Sequence, residues 1–438
     1  MKIQNRKEFL EQHWVPYPSM PTSVSHFGRI IEIQTHSISL ETHFSITTID
    51  TTSPSWIYSK NTGSLISFEP QSLFIVNDQV SLDPSGVWTL LTPHIHTETD
   101  LKKSLVHINN PEQTKTHFQN WSKYLNLIRT FFESQNFLEI YTPSLVTCPG
   151  TEPSLEVFKT EWIQGKKQKN LYLRTSPEIF LKKYLSLGFL NIFEMAHCYR
   201  NDENSEHHLN EFFMLEWYRG FNNLESIKKD VMDLLNFIVS ELKLNLKLNF
   251  LHTTMADLFK EILDFNLTPQ TTYEEYFSLC LKHNLISSNN QRYTIDDLFF
   301  LLFVSLIEPQ LDKNKVVFVS QYPPFQSALA RLTSEGWADR FEVYWKGLEL
   351  ANAFHELNDP EEQLRRSQED LKKKTLNQKV PIELDEAFFN HLRYGLPPSG
   401  GIALGLERLF MALYDLSKIH DLRPLQSIPT ENHGNGIR

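Results

Sequence analysis

Through the first quarter of the chain, apolar and polar positions alternate in short runs. Phe27 to Gln34 and Ser37 to Thr47 are rich in β-branched residues. Ser72 to Val76, Gln79 to Leu82 and Val87 to Leu91 follow, separated by turn signals at Asn77-Asp78 and Pro84-Ser85-Gly86. Period-two alternation between turn residues predicts strands. Several short strands at close spacing predict a small all-β domain over residues 1–105, with an OB-like barrel as the first expectation.

The pattern changes at about residue 114. Phe118, Trp121, Leu125, Ile128 and Phe132 recur at three- and four-residue spacing, which predicts an amphipathic helix over 114–136. A short strand is expected at Leu138 to Pro143, stopped by the proline. Ile192 to Tyr199 and Glu211 to Tyr218 read as strands flanking a polar loop. Helical periodicity returns over Leu224 to Leu244, across a helical insertion at 253–310, and from Leu406 to Leu413. Gln363 to Lys374 predicts a charged helix opened by Asp359-Pro360, since proline suits a first helical turn. The natural cut falls near residue 105, giving a second domain over 106–438.

Chemistry concentrates in three segments of that second domain. In Arg340 to Leu357, Lys346-Gly347 predicts a two-residue hairpin turn that pairs Trp345 with Leu348 and Tyr344 with Glu349. Residues opposite each other, and those two apart, share a sheet face. Glu342, Tyr344, Glu349 and Ala351 are therefore expected on one face. Two carboxylates placed so close repel unless a cation joins them, and Mg²⁺ carried with ATP suits them. Under strict pleating Asn352, Phe354 and Glu356 fall on the other face, so a shared pocket with Glu349 requires a bulge or sharp twist. The second segment ends a strand at Arg200, where a guanidinium can grip a phosphate through two parallel bonds, and Phe212 on the returning strand can stack under a purine. The third, Ser399 to Leu413, has glycines at 400, 401 and 405 before a helix whose first turn carries Arg408, a favourable place for an anion.

Composition narrows the function classes. The chain has 438 residues, 40% hydrophobic and 22% charged, with a net charge of −11. Broad nucleic-acid affinity wants a basic face, and residues 1–105 carry seven Lys/Arg against ten Asp/Glu. Core packing is accordingly expected of Trp56, Tyr58, Phe68 and Phe74 ahead of base stacking. Cys148, Cys198 and Cys280 have no metal-binding spacing and suit a reduced, cytosolic protein. His94, His96 and His107 read as solvated connector, and the polar tail after Thr430 as frayed. No apolar run approaches the roughly 20 residues of a membrane span.

Taken together, residues from about 112 to 425 resemble the catalytic domain of class II aminoacyl-tRNA synthetases. Phe137 to Pro143 resembles the dimer-forming first motif, the Arg200 hairpin the second, and Gly401 to Arg408 the third. Thr175 to Glu178, Phe213 to Tyr218 and Gly347 to Glu356 look lysine-specific, most similar to the lysyl-tRNA synthetase paralogues that lysylate elongation factor P. The resemblance implies an α+β fold, an antiparallel sheet of six or seven strands flanked by helices, and a homodimer. It implies ATP held by Arg200, Asn201, Asp202, Phe212, Glu349, Leu350, Gly405 and Arg408, with Arg200, Glu349 and Arg408 catalytic. Mg²⁺ would sit on Glu342 and Glu349. Ser176 and Glu178 would take the α- or β-amino end of lysine, Glu356 and Tyr218 the ε-ammonium, and Asn352, Phe354 and Ala403 the remainder of the substrate.

The activity so implied is formation of a lysyl or (R)-β-lysyl adenylate and transfer to a lysine of elongation factor P. Lysyl-tRNA synthesis and non-catalytic lysine sensing are the alternatives. Ala403 and the acidic first domain favour the protein-modifying paralogue over tRNA charging. Three positions depart from the second-motif pattern: Asp202 replaces glutamate, Leu209 replaces asparagine and Asn210 replaces proline.

Overall fold

The computed structural model describes residues 26–33, 37–41, 46–50, 55–59, 64–68, 79–82, 87–92, 111–203, 205–287 and 293–423. The chain divides into two compact units, with the break between Val106 and His107. In the first unit β1 (His26–Ile33), β2 (Ser37–Glu41), β3 (Ile46–Asp50), β4 (Ser55–Ser59), β5 (Ser64–Phe68), β6 (Gln79–Leu82) and β7 (Val87–Thr92) form one seven-stranded sheet ordered β3-β2-β1-β6-β7-β4-β5. Periodicity did not anticipate β4 and β5. The strand expected at Ser72 to Val76, the connector histidines and the tail after Thr430 lie outside the described residues, as do the side chains of the four aromatics assigned to packing.

The second unit starts with α1 (Pro111–Ser134), close to the helix predicted from its apolar spacing. Its strands are β8 (Leu138–Glu139), β9 (Leu145–Val146), β10 (Lys159–Gln164), β11 (Lys167–Leu173), β12 (Asn191–Tyr199), β13 (Glu211–Gly220), β14 (Phe250–Thr254), β15 (Val316–Tyr322), β16 (Ala338–Trp345), β17 (Leu348–His355) and β18 (Ser399–Gly405). Its further helices are α2 (Glu178–Ser186), α3 (Leu224–Glu241), α4 (Met255–Leu263), α5 (Tyr273–Lys282), α6 (Ile295–Leu302), α7 (Pro360–Leu376), α8 (Glu386–Gly395) and α9 (Leu406–Tyr414). Asp359 caps α7, accepting from the amides of Glu361 and Glu362, with Pro360 in the first turn. Among the described residues, no helix is long and apolar enough to cross a membrane.

Eight strands form the central sheet, ordered β14-β15-β16-β17-β18-β13-β12-β8. The inner six run antiparallel, and the two edge strands β14 and β8 pair parallel with their neighbours. This is two strands and a change of direction beyond the antiparallel core alone. A parallel neighbour needs a long connection, and residues 140–190 and the helical insertion after β14 supply them.

The two sheet faces pack differently. Phe193, Leu215 and Trp217 join Phe318, Ala351 and Ala353 in one large core, completed by α1, α3 and α9. Residues of opposite phase on β12 and β13 (Cys198, Ala196 and Met214) form a small apolar floor on the other face, against Phe212 and Ala403. The insertion helices cover Val317, Val319, Tyr322 and Tyr344 with their own apolar cluster. Between these layers the second face stays open as a cavity.

Candidate functional site

Position along the strands decides which side chains reach this cavity. In the β16–β17 hairpin, Lys346 (φ 53°) and Gly347 (φ 78°) both take left-handed conformations, as a type I′ turn requires. Trp345 pairs with Leu348 and Tyr344 with Glu349, as the turn predicts, and the register then slips by one residue, so that Val343 faces Ala351 and Glu342 faces Asn352. Leu350 is the extra residue of this bulge, and a bulge reverses the phase of everything beyond it. Glu349, Asn352 and Phe354 thus come to one face with Glu342 and Arg340. Ala351, expected beside Glu349, instead lies buried in the core on the opposite face. Beyond it, Asn352 pairs with Ala403 and Phe354 with Gly401, while Ala403 and Gly401 pair on their other side with Glu216 and Tyr218.

The resulting cavity, about 970 Å³, is lined by Arg200, Phe212, Glu349, Leu350, Gly405 and Arg408 in one part and by Ser176, Glu178, Tyr218, Asn352, Phe354, Glu356 and Ala403 in another. Asn201, Asp202 and Glu342 are not in its wall. The Asn201 amide donates to the Glu156 carbonyl at 3.0 Å. Asp202 turns outward at φ 65°, its side chain 83% exposed. Glu342 sits behind Glu349, accepting from Tyr322, Tyr344 and Arg340.

The arginine part is built for an anion. Arg200 lies over the Phe212 ring at 5.1 Å, and its nearest carboxylate is Glu203 at 3.6 Å. Arg408 donates to the Glu349 carbonyl at 2.8 Å and to His208 Nε2. Burial, then the charges of Arg408 and Arg200, hold the His208 pKa down at about 4, so the neutral ring can accept from Arg408. Glu349 has 41% of its side chain open, but into the cavity. Burial and then the neighbouring Glu342 charge push its pKa up to about 7, against the opposing pull of the arginines. Leu209, where the related pattern has asparagine, is buried in the main core and anchors this loop by packing.

The carboxylate part contains more acid than motif reading found. Glu216, 2% exposed, accepts from the Tyr218 hydroxyl at 2.5 Å. Burial and then the Glu178 charge raise its pKa well above the usual carboxylate range. Glu356 is raised to about 7, by burial first, with Lys182 opposing and Glu178 reinforcing. Lys182, also missed, is buried at 1% exposure between Glu178 at 2.5 Å and Glu356 at 2.6 Å. A signal for Glu216 existed: a carboxylate flanked in sequence by Phe213, Met214, Leu215, Trp217 and Tyr218, as Glu349 is by Leu348, Leu350 and Ala351. Lys182 had none, because a lysine four residues after a glutamate on a helix normally marks a solvated pair. Gly401 is forced by this crowding. A Cβ there would lie 2.2 Å from Glu356 Oε1 and 2.4 Å from the Tyr218 ring.

Arg200 Nε, Asn352 Oδ1 and Glu216 Oε2 are buried without a hydrogen-bond partner, and Glu356 Oε2 has only its ion pair with Lys182. Leaving such groups unsatisfied costs about 1–3 kcal/mol each, more when charged. The set comprises a donor at one end and carboxylate acceptors at the other, which is the complement of a ligand carrying phosphate and ammonium. The three cysteines are buried and free, and burial raises their thiol pKa values, which makes them inert.

Comparison with known proteins places the chain in a family. Residues 96–427 match the family of class II tRNA synthetases (D, K and N). Among similar curated proteins is elongation factor P--(R)-beta-lysine ligase of Haemophilus influenzae, 35% identical over 73% of this chain and 97% of its own length. Proteins of the same name from Hamiltonella defensa and Actinobacillus succinogenes are 35% and 34% identical, over 65% and 69% of this chain and 86% and 92% of their own lengths.

Proposed function

The chain belongs to the class II tRNA synthetases of the D, K and N group and is an enzyme of the ligase type found there, and on that premise we propose that it activates lysine or (R)-β-lysine with ATP and transfers it to a lysine of elongation factor P. The observation that carries this reading is the single cavity with unpartnered buried groups of opposite sign at its two ends.

In this reading the triphosphate lies against Arg200 and Arg408 with the purine on Phe212. Neutral His208 steadies the Arg408 guanidinium. The substrate's ammonium groups meet Glu178, Glu216 and Glu356, and its carboxylate lies near Asn352. That carboxylate attacks the α-phosphorus, the bond to the β-phosphate oxygen breaks, and pyrophosphate leaves with the electron pair. An acceptor amine then attacks the acyl carbon, releasing AMP and a proton. No protein nucleophile is required; the chain positions the reactants and stabilises the charge that develops on phosphate.

The carboxylate chemistry fits Mg²⁺. Two acids lie close enough to push Glu349 upward, a repulsion a hard cation relieves, and Mg²⁺ commonly binds through one or two carboxylates plus substrate phosphates. With Glu342 already accepting from three protein groups, Glu349 would be the principal ligand. When bound, the ion would neutralise phosphate charge. Residues 106–438 carry the whole reaction, and residues 1–105 are a separate all-β domain. Exposed Leu138, Tyr141 and Leu145 around the first motif support a homodimer.

The test is pyrophosphate exchange with L-lysine and with (R)-β-lysine, followed by intact mass of elongation factor P. A mass gain of one lysyl residue is the expected result. Charging of tRNA instead would identify a lysyl-tRNA synthetase, and lysine binding without exchange would identify a sensor.

A further inference from the structure

The deep end of the cavity presents a problem of charge. Glu178, Glu216 and Glu356 converge there, and Lys182 is the cation set among them. Two further charged groups act on this cluster without an ion pair to it: Arg331 on Glu356 and Glu152 on Glu178. Arg331 donates to the Glu356 carbonyl and to Asn358. Glu152 faces Glu178 from the adjoining loop, where Lys374 is its neighbouring cation. Tyr218 is un-ionised, its pKa raised by burial and then by Glu216.

Lys182 is no adventitious contact. Its Nζ donates to Glu178 within one turn of α2 and reaches Glu356 beyond the end of β17, tying two segments distant in the chain to one ammonium. The ion pair with Glu356 Oε2, at 2.6 Å, uses one direction of that oxygen, and the carboxylate's remaining lone pairs stay available to a second donor. Burial opposes the charge on Lys182, but Glu178 and Glu356 outweigh it and its pKa ends above the ordinary value. Three carboxylates against one ammonium leave two negative charges when all are ionised.

We infer that Lys182 is a resident counter-cation of the substrate pocket, a positioning residue that holds Glu178 and Glu356 in place and leaves room, by charge, for two ligand ammonium groups. The inference rests on reading the cavity as a diamino-acid site. It makes selection of a diammonium substrate a property of the charge count as well as of pocket length. An amino acid with one ammonium leaves a buried carboxylate that must stay protonated, whereas lysine displaces the proton that Glu216 holds in the free protein.

The experiment follows the pH dependence of kcat/KM for lysine in pyrophosphate exchange, for the wild type, Lys182→Gln and Lys182→Arg, with melting curves for each. Removing an opposite charge at this distance raises a carboxylate pKa by about 1–3 units. The acid limb of Lys182→Gln is therefore expected about one pH unit or more above wild type, with Lys182→Arg restoring it. A purely structural lysine would lower melting temperature and rate without moving the limb, and that result overturns the inference while leaving the proposed function standing. Absence of lysine-dependent exchange by the wild type would remove both. Should the glutamine variant fail to fold, calorimetry of the wild type at pH 7.5 in two buffers of different ionisation enthalpy decides the matter. Proton release on binding lysine but not norleucine is expected, and lysine binding with no proton release overturns the inference.

Discussion

The two ends of the cavity solve opposite electrostatic problems. At the acidic end, Glu216 and Glu356 are fully enclosed and Glu178 nearly so, and the protein supplies its own cation, Lys182, to hold Glu178 and Glu356. At the arginine end, Arg200 and Arg408 line a more open wall, and each is held by weak or neutral partners: Glu203 at 3.6 Å, the ring of Phe212, the Glu349 carboxylate at 3.9 Å, a backbone carbonyl and His208. Enclosure makes each charge at the first end costly and therefore selective. Openness at the second lets a highly charged, hydrated group enter. Recognition of the small substrate and grip on the nucleotide should accordingly fail separately.

The strongest break in that contrast is Glu356→Ala. Removing one member of a buried charge set costs about 3–5 kcal/mol. Lysine-dependent exchange should fall by roughly two to three and a half orders of magnitude, with KM for ATP little changed; steady-state kinetics with each substrate varied checks this. At the other end, Arg200→Ala removes a preorganised donor to the reacting phosphate, a loss of about 10²–10³-fold in kcat. Here the deficit should appear with either lysine isomer, and single-turnover pyrophosphate release measures it.

Gly401→Ala tests crowding rather than charge. Its Cβ would meet Glu356 and Tyr218 at 2.2 and 2.4 Å. Overpacking of this kind costs about 1–3 kcal/mol, and the expected signature is a raised KM for lysine with normal ATP kinetics.

A smaller effect comes from pH. Glu356 and Glu349 both have pKa values raised to about 7. Each is neutral below that value and ionised above it, and only the ionised form binds ammonium or metal. KM for lysine and for Mg·ATP should therefore both fall as pH rises through 7, and Glu342→Gln, which removes a charge that raises Glu349, should move only the ATP limb downward. The smallest effect belongs to the outer surface of α7. Arg365→Ala breaks exposed pairs with Glu362 and Glu369, and melting temperature and exchange rate should match wild type.

Periodicity made much of this fold legible. The helices at α1, α3, α7 and α9, the strands flanking Arg200 and the pairing of Tyr344 with Glu349 all follow from local rules, because apolar spacing and turn chemistry act over a few residues. Motif resemblance supplied the family, and most of the site residues named from it line the cavity. Three named residues, Asn201, Asp202 and Glu342, lie outside its wall, since a motif specifies identity and not where a loop turns or what a neighbouring arginine captures.

What the chain alone determined, then, was its strongly periodic elements, its family and the presence of acids and arginines suited to lysine and ATP. Only the tertiary structure decided that Leu350 bulges and sends Asn352 into the cavity in place of Ala351, that Glu216 completes the acidic end, and that Lys182 is buried among those acids. The reason is physical. A strand's phase is set by pairing with partners distant in sequence, and the cost of burying a charge depends on which other charges the fold brings beside it.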